Sequence, residues 1–124
     1  MASTERRGLK QIFNAFKWSM QGLHATFKYE ASFRLEFYLA LILMPLAYFL
    51  AQSAMQLLLL IACIVLVLII EIVNSAIEAV VDMVVGEKFH PLAKRAKDMG
   101  SAAVFLAQML VLLTWLTVLY SNHG

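Results

Sequence analysis

The chain has 124 residues, of which 62% are hydrophobic and 15% charged, with a formal net charge of +2. Soluble domains carry roughly 45–50% apolar and about 25% charged residues, and so small a domain has too little interior to hide the excess. The composition excludes a soluble enzyme, a disordered chain and a nucleic-acid binder. It leaves a single domain, 1–124, with a bilayer as its solvent.

Leu9, Ile12, Phe13, Phe16, Met20, Leu23 and Phe27 recur at spacings of three and four, with Lys10, Asn14, Lys17, Gln21, His24 and Lys28 between them. This pattern predicts an amphipathic helix over residues 5–30. Its basic polar face suits the membrane surface. No cleavable leader is expected, because the first long apolar run begins late and no small-residue cleavage site follows it.

That run, Phe37 to Ala51, is bounded by Arg34 and Glu36 on one side and Gln52 on the other. A span needs about 20 residues, so the first transmembrane helix is expected to cover 33–51, with Pro45 a candidate kink. Gln52 to Gln56 form a short polar break. The second helix is expected over 55–85. It is apolar from Leu57 to Ile70 and continues its helical pattern past Glu71. The charged segment 86–100 is expected to be a loop, and 101–120 a third transmembrane helix. The one cysteine, Cys63, excludes an intramolecular disulfide and a Cys-rich metal site.

The charges predict the topology. Arg6, Arg7, Lys10, Lys17, Lys28 and Arg34 precede the first span; Lys88, Lys94, Arg95 and Lys97 lie between the second and third. The 52–56 turn and the C-terminal tail carry neither lysine nor arginine. By the positive-inside rule the N-terminus and the 86–100 segment are cytoplasmic and the C-terminus is external.

Glu71, Asn74, Glu78 and Asp82 share one side of the second helix. At about 100° per residue, Glu78 and Asp82 fall about 20° to either side of Glu71, and Asn74 about 60° away. A helix emerging into water accounts for Asp82 and partly for Glu78. It accounts poorly for Glu71, which has apolar neighbours on both sides and is costly at membrane depth. Clustered carboxylates suit Mg²⁺, which is held by one or two carboxylates plus substrate phosphates. Glu30 and Arg34 are spaced for an i,i+4 ion pair, or to join the same site. The basic 86–100 segment suits either a solvated loop or an anionic phosphate ligand. It contains no Walker A sequence. A small oligomeric proton-coupled exporter would also carry carboxylates, but transporter sites lie near the midplane, whereas these acids gather at one end.

The segment Glu71-Ile72-Val73-Asn74-Ser75-Ala76-Ile77-Glu78-Ala79-Val80-Val81-Asp82 resembles the signature of the prokaryotic diacylglycerol kinase family, and Arg95 to Val104 resembles its second signature. Gly22-Leu23 and Glu30 to Arg34 also fit, and the resemblance runs over about residues 8–120. It implies an all-α membrane protein in which an amphipathic surface helix and three transmembrane helices form a homotrimeric bundle. It implies transfer of the γ-phosphate of ATP, with Mg²⁺, to diacylglycerol in a bacterial inner membrane; an undecaprenol acceptor characterises a related branch. By motif position, Glu71 is the general base, and Glu30 and Glu78 hold the metal and ATP. Phe89, His90, Lys97 and Asp98 contact the nucleotide. So do Gln11, where a basic residue is expected, and Trp18, where tyrosine is usual. Asn74 and Ser101 lie beside the lipid headgroup. His24, Ala25, Thr26, Phe27, Phe33, Arg34 and Glu36 line the lipid cleft.

Overall fold

In the computed structural model, which describes residues 8–123, every element is a helix. α1 runs Gly8–Tyr29, α2 Ala31–Leu50, α3 Ala54–Val85 and α4 Pro91–His123. The start of the predicted surface helix, 5–7, lies outside the described residues. α2, α3 and α4 are each long and apolar enough to cross a membrane.

Local chemistry sets the helix ends. A single residue, Glu30, separates α1 from α2 in an extended conformation (φ −117°, ψ 109°). The helix α2 continues through Pro45, although proline removes the backbone donor that the carbonyl one turn earlier would use. Ser53 caps α3, its hydroxyl accepting from the Gln56 N–H at 3.1 Å. Gly86 ends α3 at φ 60°, a backbone geometry that a side chain would strain.

The 86–100 segment is mostly helical. Only Gly86–His90 separates α3 from α4, and α4 begins at Pro91. Proline is pre-shaped for a first helical position. His90 Nδ1 accepts from the Leu92 N–H at 3.1 Å, and Lys94 pairs with Asp98 one turn on at 2.7 Å. Charges that read as a solvated loop instead coat the first turns of a long helix.

Helix α3 is the axis of the bundle. It packs most extensively on α4 and less on α2, while α1 touches the others mainly at its C-terminal end. Ala40 and Ala47 of α2, Leu60, Cys63 and Ile64 of α3, and Trp115 and Val118 of α4 form the core. The small alanines let α2 approach closely. At the far end, Gln56 Nε2 donates to Asn122 Oδ1 at 2.8 Å, and Asn122 Nδ2 donates to the Leu50 carbonyl at 3.1 Å. Many large apolar side chains, among them Ile42, Phe49, Leu58 and Leu113, face outward. That surface is costly in water and costs little in lipid.

Candidate active site

The polar stripe predicted on the second helix is present on α3, and its members meet different surroundings. Glu71 is 5% exposed. The carboxyl of Glu36, reaching over from α2, adjoins it, and Glu78 and Glu30 are close enough to act on it through their charge. Four acids from α2, α3 and the α1–α2 break thus converge at one end of the bundle.

Glu36 is held from α4. Gln108 Nε2 donates to its Oε2 at 2.6 Å, while its buried Oε1 meets no donor among the described residues beyond the adjoining Glu71 carboxyl. This pair lines a cavity of about 160 Å³ whose other walls include Leu39, Ala40, Ile64, Val67 and Val111. One turn beyond Glu71, Asn74 Nδ2 donates to Glu78 Oε2 at 3.4 Å. Asn74 Oδ1 is buried without a partner and lies against Gly100 of α4, where any Cβ would overlap it. Gly100 therefore leaves the Asn74 side chain its place between α3 and α4. Farther out, Lys97 Nζ pairs with Asp82 Oδ1 at 2.6 Å. Asp82 meets water, as its place at the emerging end of the helix predicts, and is also tied to α4.

The remaining sequence-derived candidates have other neighbours. Lys94 takes Asp98 as its partner. His90 caps α4, and Phe89 with Asp98 lines a shallow depression on the outer side of that helix. Gln11 and Trp18 are exposed on α1, as are Ala25 and His24, and Ser101 is exposed on α4. Thr26 is buried, its hydroxyl donating to the Gly22 carbonyl at 2.8 Å. Phe27 meets Phe37 and Tyr38 edge to face, with ring centres 5.6 and 5.8 Å apart, and Phe33 stacks on Phe37. These aromatics form the joint between α1 and α2. The Glu30–Arg34 ion pair allowed by spacing is not made. Arg34 donates instead to the carbonyls of Phe27 and Lys28.

Among the described residues, no lysine or arginine forms an ion pair with Glu30, Glu36, Glu71 or Glu78. The convergent negative charge and the partnerless Asn74 Oδ1 suit a divalent cation. Also among the described residues, no three His, Cys, Asp or Glu side chains are placed to hold an ion by themselves. Two carboxylates completed by phosphate oxygens match the way Mg²⁺ is held beside nucleotides.

The family model for prokaryotic diacylglycerol kinase matches residues 17–119, which takes in all of these acids, Asn74, Lys97 and Gly100. The chain belongs to that family. Similar relatives include the diacylglycerol kinase of Pseudomonas aeruginosa, 49% identical over 112 residues and covering 90% of each chain. The diacylglycerol kinase of Haemophilus influenzae is 44% identical over 113 residues, covering 91% of this chain and 95% of its own. That of Escherichia coli K12 is 44% identical over 117 residues, covering 94% and 95%. The matched segment includes Glu71, the one buried acid among the described residues. Gln108 and Gly100 are the residues that sequence reasoning passed over, and the pairing of Asp82 with Lys97 was not foreseen. Gln108 had a visible signal, as an isolated amide in the apolar stretch of α4.

Proposed function

We propose that this chain phosphorylates diacylglycerol with MgATP at the cytoplasmic face of a bacterial inner membrane, yielding phosphatidic acid and ADP. One observation carries the reading: a buried glutamate, Glu71, sits at apolar depth beside three further acids, inside the family-matched segment. Carboxylates in such a place need a function to justify their cost.

Glu71 takes the proton of the lipid hydroxyl. The hydroxyl oxygen then bonds to the γ-phosphorus, and the bond from that phosphorus to the β,γ-bridging oxygen breaks, releasing ADP. Phosphoryl transfer asks the protein chiefly for positioning and charge neutralisation. Glu30 and Glu78 hold Mg²⁺, whose chemistry when bound is to offset charge on the phosphate oxygens. Asn74 holds Glu78 in place. Lys97 exchanges Asp82 for a phosphate oxygen, and the start of α4, with Phe89, His90 and Asp98, receives the rest of the nucleotide.

α1 lies on the cytoplasmic membrane surface, its N-terminus inside, and the C-terminus of α4 is external, as the Lys and Arg distribution favours. The functional unit is a homotrimer. The outward apolar faces, and an Asn74 Oδ1 buried without a partner among the described residues, support completion of the site by neighbouring copies. The experiment is transfer of labelled γ-phosphate by purified protein in mixed micelles, with diacylglycerol and undecaprenol offered separately. Label is expected in phosphatidic acid. Label in undecaprenyl phosphate alone would replace the acceptor, and label in neither would end the kinase reading.

A further inference from the structure

We propose that Arg34 is a positioning residue: its guanidinium clamps the C-terminal end of α1 onto α2 and so fixes where Glu30 presents its carboxylate. The inference rests on the reading of Glu30 as a metal ligand and adds what holds that ligand in place.

The need for a clamp follows from the break. α1 ends at Tyr29 and α2 starts at Ala31, with Glu30 alone between them. Leaving the helix at Glu30 deprives the last carbonyls of α1 of their usual N–H partners. The Glu30 N–H still reaches the Thr26 carbonyl at 2.9 Å. The next two carbonyls, of Phe27 and Lys28, both accept from Arg34 Nη1, at 2.8 and 2.9 Å. A cation is also favoured at this negative end of the α1 dipole.

The same arrangement isolates Glu30. Its carbonyl accepts from the Arg34 N–H at 3.2 Å, and its side chain makes no capping bond. The backbone is therefore fixed on both sides while the carboxylate stays free for a ligand. An i,i+4 ion pair with Arg34 would have neutralised that carboxylate. By taking carbonyls instead, the arginine supports Glu30 without competing for it. Within one chain α1 is largely exposed apart from Thr26 and the contacts of Phe27, so its C-terminal end carries most of its attachment to α2. Both arginine bonds leave one planar Nη1 amino group whose two N–H directions are fixed by the guanidinium; lysine keeps the charge, but its freely rotating ammonium on a flexible stem holds no such fixed pair of directions.

The test uses full-length protein with Cys63→Ala, carrying spin labels at Gln21→Cys on α1 and Ile42→Cys on α2. It is assembled with excess unlabelled protein, so that distances within one chain are read. Arg34→Gln is expected to broaden the α1–α2 distance distribution. It should also raise the Mg²⁺ concentration for half-maximal activity about three- to tenfold, the scale of losing one hydrogen bond of ordinary strength. Arg34→Lys should fall between Arg34→Gln and the parent in both readouts. A parental distance distribution in Arg34→Gln overturns the clamp. A broadened distribution with a parental Mg²⁺ response overturns its role in placing the ligand. Glu30→Gln separates the two readings. If that variant keeps the parental Mg²⁺ response, the metal assignment of Glu30 falls, and the distance measurement still judges the clamp.

Discussion

Lys97 of α4 reaches across to Asp82 of α3 and closes an ion pair of 2.6 Å one turn from Glu78 on the polar stripe. Both side chains are well exposed, at 42% and 58%, so water screens the pair and its effect on stability is small. Its value lies in placement. An unpaired lysine samples many rotamers, whereas this one is held next to Glu78, where phosphate charge would arrive.

Two substitutions separate the lysine from its holder. Lys97→Met should lower kcat/KM for MgATP by about 10²-fold, the usual scale for losing one stabilising donor. Asp82→Asn keeps the lysine and should lower it by less than about tenfold, a modest cost in positioning. Thermal melts of both in detergent should stay close to the parent. Equal losses in the two variants would mean that the pair acts as one unit and that placement alone is not the role of Asp82.

Gly100 offers a different kind of test. A methyl group there meets the Oδ1 end of Asn74, which is a side chain able to turn away. Alanine also favours the helix by about 1 kcal/mol over glycine. The fold of Gly100→Ala should therefore survive with its unfolding midpoint in denaturant little changed. The turned Asn74 no longer supports Glu78, so turnover should fall about tenfold or more, as small misplacements do in active sites. A variant that is strongly destabilised yet as active per folded molecule as the parent would contradict this account.

The α3 stripe was legible because helical periodicity is local: Glu71, Asn74, Glu78 and Asp82 share one side through spacing alone. Partners across helices were not. Gln108 lies 72 positions from Glu36, and no periodic signal links an amide in one span to an acid in another. Arg34 was misleading in a simpler way. Its spacing from Glu30 suits an ion pair, but the chain break opens two carbonyls that make better use of a guanidinium. The charges of 86–100 pointed to a loop because hydropathy reports where a chain leaves the lipid, whereas the helix itself starts at Pro91.

Glu30 and Glu78 should act through one ion. Glu30→Gln and Glu78→Gln are each expected to depress MgATP use severely with the fold retained. The double variant should be little worse than either single, since groups that act as a unit are not additive. Kinetics over a Mg²⁺ series check this, and multiplicative losses would assign the two acids to separate tasks.

Glu71 is 5% exposed, the one buried acid among the described residues, and in the proposed mechanism it takes the proton of the lipid hydroxyl. Glu71→Gln keeps the shape and an acceptor oxygen but removes the basicity. Loss of a general base costs about 10²–10⁴-fold in rate. The loss should fall on turnover, with MgATP and lipid affinity nearly unchanged, because proton transfer is under way only in the transition state. Glu71→Asp should also be poor, as the shorter arm withdraws the carboxylate by about one bond length and reacting groups tolerate little misplacement. Both variants should fold, and the amide is cheaper to bury than an ionised carboxylate. Glu36, the acid adjoining Glu71, supplies the control. If it can stand in as base, Glu71→Gln keeps substantial turnover and the double variant with Glu36→Gln loses it. If Glu71 alone takes the proton, the single variant already shows the full loss. Steady-state kinetics in mixed micelles, with nucleotide binding followed separately, distinguish these outcomes, and near-parental turnover in the double variant would remove both acids from the proton-transfer step.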